Sequence, residues 1–287
     1  MNGLKVTIMM LGLMLLFMWV GYLVGGQNGM VIAFLFAAVM NFVSYWFSDK
    51  IVLKMYRARE VTENDHPRLY RIVKRVATTA MIPVPRVYIV PSKAPNAFAT
   101  GRNAEHAAVA ATEGILEILN DDELEGVIGH EIAHIMNKDM LIGTIAATFA
   151  GAVGILASIA RWGAIFGGYG KSDSRNGGPI GLLIAAIVAP IAAMLIQMAI
   201  SRQREYKADR IGAKISNKPL QLASALKKLH TAPVRLNLDQ RPATAHLMIA
   251  NPLSGKGMAS LFSTHPPVEE RIKRLEQMVY QTDYASY

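Results

Sequence analysis

Apolar residues run along this chain in long blocks, and the first of them fills most of the opening fifty positions. From Val6 to Ser48 no residue is charged. That length exceeds one membrane crossing, and "GGQNG" (Gly25 to Gly29) is a turn signal inside it. Two segments remain, Val6–Val24 and Met30–Phe47. Each is close to the ~20 residues that cross ~30 Å of hydrocarbon. The first is too long for a signal-peptide core, has no A-x-A site after it, and runs at once into a second apolar segment, so a retained span is expected. A third apolar block covers Met140–Ala160 and a fourth Ile180–Ile200, with Pro190 in its middle. Neither carries the polar stripe of a half-buried soluble helix, so both are expected to cross the membrane.

Between and after these blocks the pattern becomes periodic. "HPRLYRIVKRVATTAM" (66–81) puts Leu69, Ile72, Val73, Val76 and Ala77 at helical spacing. Arg86–Val90 reads as a short strand between prolines, and "NAFATG" and "HAAVAATEG" as two more strand-like pieces. Asn120, with Glu123 three residues on, predicts a capping box opening a helix over 121–138. Further helices are predicted at "SRQREYKADRIGAKIS", "PLQLASALKKLH" and "PPVEERIKRLEQMVY", with a Pro/Gly-rich loop from Pro233 to Gly257.

Charge refines this. The 287-residue chain is 52 % hydrophobic and only 18 % charged, with a net charge of +9. Lys and Arg crowd at the edges of the apolar blocks, the pattern of a membrane protein facing a lipid bilayer. No basic stretch interleaves with aromatics, which argues against a nucleic-acid partner. Lys50, Lys54, Arg57 and Arg59 follow the second block, and Arg202, Arg204, Lys207 and Arg210 follow the fourth. The positive-inside rule then assigns both termini, residues 49–139 and everything after 201 to the cytoplasm. The spans hold no charged residue to line a polar path, which removes a transporter or channel. With no cysteine, any metal is held by histidine and carboxylate.

"HEIAH" begins at residue 130. On a helix, His130 and His134 share one face about 6 Å apart along the axis, so both imidazoles can reach one tetrahedral Zn²⁺. Glu131 stands beside them, placed to take a proton from water at the metal. The bland alternative is a pair of histidines on a solvated face. A third ligand is required, and the candidates are Glu205, His106, His230, His246 and His265. Topology favours Glu205. His134 precedes the third block and Glu205 follows the fourth, and a short loop makes those blocks an antiparallel pair, so both residues emerge at one membrane face. Asp209, one turn on, is spaced to accept the free N–H of a metal-bound histidine. An ordinary charged helix is the rival for both. Asp139 is a candidate ion-pair partner of Arg202 or Arg204.

"NAFATG", "HEIAH" followed by "NKDM", "SRQREYKADRIGA" and "STHPPVEERI" occur in an order and spacing that resembles HtpX-type membrane metalloproteases, relatives of the CAAX prenyl proteases. The likeness covers nearly the whole chain. Gln203 departs from it, standing where many relatives carry an acidic residue. The resemblance implies one Zn²⁺ per chain held by His130, His134 and Glu205, with Glu131 catalytic. It implies quality control in a bacterial or archaeal cell membrane, cleaving unfolded or damaged membrane proteins under stress. It also implies that Asn96, Ala97, Phe98 and Ala99 form a strand edge that binds substrate through backbone hydrogen bonds, against the plain reading of a sheet edge with a packed Phe98. His265 and Arg271 are candidates for oxyanion stabilisation, or else for fastening the C-terminal helix.

The expected fold class is an α+β multi-pass membrane protein with four transmembrane helices and a cytoplasmic zincin-like metalloprotease domain. The expected divisions are 1–48 (two spans), 49–139 (first half of the protease domain), 140–200 (a transmembrane hairpin) and 201–287 (second half). A processing enzyme for one defined substrate and a non-proteolytic zinc-binding scaffold are the rival functions. An intact general base at Glu131 weighs against the scaffold.

Overall fold

The computed structural model describes residues 2–142, 202–232 and 266–284. The third block from residue 143, the whole of the fourth, the 233–257 loop, His246 and His265 lie outside the described residues. Of the described residues, 2–46 belong to one compact unit and the rest to a second.

The first unit is α1 (Asn2–Trp46), broken at Gly25 and Gly26. Gly26 takes φ 60° and ψ −145°, a conformation that favours glycine because it has no Cβ. The two halves fold back on each other: Asn41 Nδ2 donates to Met10 O at 3.2 Å, and the Phe17 and Phe36 rings lie 5.6 Å apart. Among the described residues one helix, Gly25–Trp46, is long and apolar enough to cross a membrane, and Val6–Tyr22 is a shorter apolar helix. The expected turn and the break coincide.

The second unit is built on a four-stranded sheet of β1 (Arg59–Glu60), β2 (Arg86–Val90), β3 (Ala97–Thr100) and β4 (Ala108–Thr112). The order is β1-β2-β4-β3, with β2 and β4 parallel and the outer strands antiparallel to their neighbours. β3 is therefore an edge. Alternation along each strand splits the sheet into two faces. Val87, Ile89, Ala97, Ala99, Val109 and Ala111 join the main core. Tyr88, Val90, Phe98, Ala108 and Ala110 pack instead with Val52 and Leu53 of α2 (Ser48–Met55).

On the main-core face lie α3 (Pro67–Thr79) and α5 (Asp121–Met136), reached through the short α4 (Glu113–Ile118). All five of the predicted apolar positions of α3 are buried. The capping box opens α5 as predicted: Glu123 N donates to Asn120 Oδ1 at 2.9 Å and Asn120 N to Glu123 Oε2 at 3.0 Å. Leu124, Val127, Ile128, Ile132 and Ile135 of α5 are buried. α6 (Arg202–Ser216), α7 (Pro219–Thr231) and α8 (Val268–Tyr284) complete the unit. α5 stops two residues before the predicted end, because Lys138 turns left-handed at φ 57°.

Candidate metal centre

α5 and α6 meet through glycine. A Cβ on Gly212 would lie 2.6 Å from His130 N, and one on Gly129 would lie 2.7 Å from Gly212 O. Only a bare backbone allows that approach, and it sets the histidines of α5 against the carboxylates of α6. His130 Nε2 and His134 Nε2 are 3.1 Å apart. Glu205 Oε2 lies 3.6 Å from His130 Nε2, and Glu205 Oε1 lies 3.6 Å from His134 Nε2. The three donor atoms fall within 4.8 Å of one another. Ligand atoms ~2.0–2.1 Å from a tetrahedral Zn²⁺ are roughly 3.3–3.4 Å apart. The donor set therefore fits a zinc ion in both size and chemistry.

His130 Nδ1 lies 2.9 Å from Asp209 Oδ1. That contact puts the proton on Nδ1 and leaves Nε2 as a lone-pair donor. Arg271, brought in by α8 and fully buried, clamps Asp209: Nε donates to Oδ2 and Nη2 to Oδ1, each at 2.8 Å. Arg271 Nη1 is 3.9 Å from Glu205 Oε2. In the protein without metal, burial disfavours the His130 cation, but Asp209 and Glu205 outweigh it and raise its pKa to about 9. Burial alone would raise Asp209; the Arg271 fork and His130 instead pull it down to about 2.

Glu131 is buried beside the pair, and burial pushes its carboxyl above the usual range against the pull of His130 and His134. Its Oε2 accepts a hydrogen bond from Ala99 N at 2.9 Å. The sheet register explains the contact. Thr112 N donates to Asn96 O at 2.9 Å, so Asn96, Phe98 and Thr100 face β4. Ala97 and Ala99 turn their N–H and C=O groups to the outer edge, where α5 runs.

The structure brings together His130, His134, Glu205, Glu131, Asp209, Arg271 and the backbone of β3. The Phe98 ring turns the other way, 4.9 Å from the Tyr56 ring in the α2 layer, so only its backbone belongs to the edge strand. Asn96 is buried, with its N–H on Thr112 Oγ1 at 2.9 Å. The other described histidines stand elsewhere: exposed His106 is held by Asn103 and Arg102, and His230 lies 3.9 Å from Glu269. Arg204 Nη1 lies 3.9 Å from Asp139 Oδ1. Three features of the site carry no signal in the sequence: the Ala99 N–H, which belongs to no side chain, the Gly129–Gly212 approach, and the nearness of Asp139 to His134.

A histidine pair on one helix, a carboxylate from a second, an adjacent buried glutamate and an edge strand against it define a metallopeptidase. The chain belongs to peptidase family M48, whose profile matches residues 63–279. It is 56 % identical over 281 residues to a protease HtpX homolog of Syntrophobacter fumaroxidans, covering 96 % of this chain and 98 % of that one. It is 58 % identical over 264 residues to a protease HtpX homolog of Pyrococcus furiosus, covering 91 % of each. The crystal structure of Ste24p from S. mikatae shares the fold, with a TM-score of 0.55 at 17 % identity. That likeness covers 95 % of this chain, which spans 64 % of the Ste24p chain. The protein is thus a membrane metalloprotease.

Proposed function

We propose that the protein is a zinc endopeptidase that cleaves misfolded or damaged membrane proteins at the cytoplasmic face of the cell membrane. The observation that carries the zinc-hydrolase reading is the triad of donors within 4.8 Å, with the Glu131 carboxylate alongside. His130, His134 and Glu205 would hold the ion. Bound zinc supplies Lewis acidity to a water and to the scissile carbonyl. Glu131 takes the proton of the attacking water and passes it to the leaving amine. Asp209 fixes the His130 tautomer, and Arg271 acts through Asp209 as a positioning residue.

The Ala97 N–H and C=O and the Ala99 C=O on the outer edge of β3 align the peptide as an added strand, the Ala99 N–H being held by Glu131. Backbone pairing tolerates many side chains, which suits a quality-control substrate range better than one defined sequence. By the resemblance, His265 would serve as an oxyanion donor. Four spans, two within 1–48 and two within 140–200, alternate with the protease-domain halves 49–139 and 201–287, with termini and active site cytoplasmic. The charge flanking the apolar blocks supports this orientation.

The test is Glu131→Gln in the purified full-length protein, assayed for zinc and for cleavage of an unfolded substrate such as casein. Retained stoichiometric zinc with kcat lowered by about 10²- to 10⁴-fold is expected. Wild-type turnover in that variant would refute the mechanism. Mapped cleavage sites separate the roles, many sites meaning quality control and a single dominant one meaning processing.

A further inference from the structure

α5 ends in a Schellman motif. Asn137 is the last half-helical residue, and Lys138 follows in the left-handed region at φ 57°. Lys138 N donates to Ile135 O at 3.0 Å and Asp139 N to His134 O at 3.0 Å, the paired bonds of that cap. The motif folds its last residue back beside the residue five positions earlier, a contact that is ordinarily apolar. Here the two residues are Asp139 and His134. Asp139 is buried and sets Oδ2 3.5 Å from His134 Nδ1. From α6, Arg204 Nη1 approaches the other oxygen at 3.9 Å.

We propose that Asp139 is the positioning carboxylate of the second metal histidine, delivered to His134 by the helix cap. It does for His134 what Asp209 does for His130. With Nε2 turned to the ion, the remaining donor of His134 is Nδ1–H, and Asp139 Oδ2 stands before it. The two supports differ in kind. Asp209 comes from a separate helix and is forked by Arg271, at 2.9 Å from a histidine that is 2 % exposed. Asp139 comes from the local chain turn, at 3.5 Å from a histidine that is 17 % exposed. His134 is therefore the looser ligand, on the more open side of the site, and its orientation depends on a left-handed residue that is not glycine.

This inference rests on the reading of His130, His134 and Glu205 as metal ligands. It is tested on the full-length protein in detergent by zinc competition with a chelator, the visible spectrum of the Co²⁺-loaded form, and the Tm of the metal-free form. Asp139→Ala is expected to weaken zinc binding by about 10- to 100-fold and to alter the Co²⁺ bands. Asp139→Asn, whose amide oxygen still accepts a hydrogen bond, should weaken it less and leave the metal-free Tm unchanged. Lys138→Val keeps the carboxylate but resists the left-handed conformation, so it should lose zinc as Asp139→Ala does. Lys138→Gly, which adopts that conformation freely, should bind zinc as the wild type does. Wild-type zinc affinity in Asp139→Ala overturns this inference alone. A metal-free Tm that falls in step with affinity in both Asp139 variants also overturns it, by making Asp139 a fold residue. A wild-type protein that binds no zinc overturns the metal reading and this inference together.

Discussion

At the scale of single residues, the centre is held by charge arranged where water is excluded. Arg271 is buried because Asp209 receives both arms of its fork, and Asp209 stays ionised because Arg271 is there. Removing one partner strands the other, so Arg271→Leu should cost about 3–5 kcal/mol, read as a lower Tm. Arg271→Lys should recover little of it, since a point charge cannot make two parallel bonds. His130 sets a pH dependence. In the metal-free protein its pKa is raised to about 9, above the ~6.5 of an unfolded chain. Its contribution to stability is therefore complete below pH ~6.5 and is lost as pH rises through about 9. Thermal melts of metal-free protein should show Tm falling across that window. Zinc titrations should show affinity rising over the same range, by up to about tenfold per unit, because the ion no longer has to displace the proton. The ligand types were legible in the sequence, since "HEIAH" places two imidazoles one turn apart on any helix. The buried fork between Arg271 and Asp209 was not, because 62 positions of chain separate its ends.

At the scale of elements, the centre depends on how closely two helices pass. Gly129 and Gly212 let α5 and α6 approach backbone to backbone, and at that separation Glu205 lies 3.6 Å from both His130 and His134. Gly212→Ala should push the helices apart, costing about 1–3 kcal/mol in stability. It should also weaken zinc binding by more than tenfold, measured by metal content after dialysis. If Tm fell while zinc was kept, the helix spacing would not be what sets the ligand distance. The elements themselves were largely readable. The stripe of α3, the strand Arg86–Val90 and the capping box of α5 follow from local periodicity and local hydrogen bonds. The end of α5 is not legible in the sequence, because no glycine marks the cap and Lys138 occupies the left-handed position instead. The orientation of Phe98 was equally hidden, since a strand with apolar residues on both faces gives no clue to which face meets which layer.

At the scale of the molecule, apolar blocks and catalytic elements are interleaved along one chain. A reporter fused near residue 172, between the third and fourth blocks, should read the non-cytoplasmic side if those blocks cross fully; a cytoplasmic signal would replace the hairpin with a shallower arrangement. The sequence by itself determined the family, the apolar block lengths and the identities of the candidate metal donors, because hydrophobicity, turn chemistry and i, i+4 spacing are local properties. It also singled out Glu205 among five candidates, by chain order relative to the apolar blocks. Only the tertiary structure decided that Ala99 N–H ties Glu131 to the sheet edge, that Arg271 serves Asp209, and that Asp139 turns back on His134. Those contacts form where backbones approach and side chains lose water. Such places are fixed by the packing of distant segments and a left-handed turn, which residue spacing does not encode.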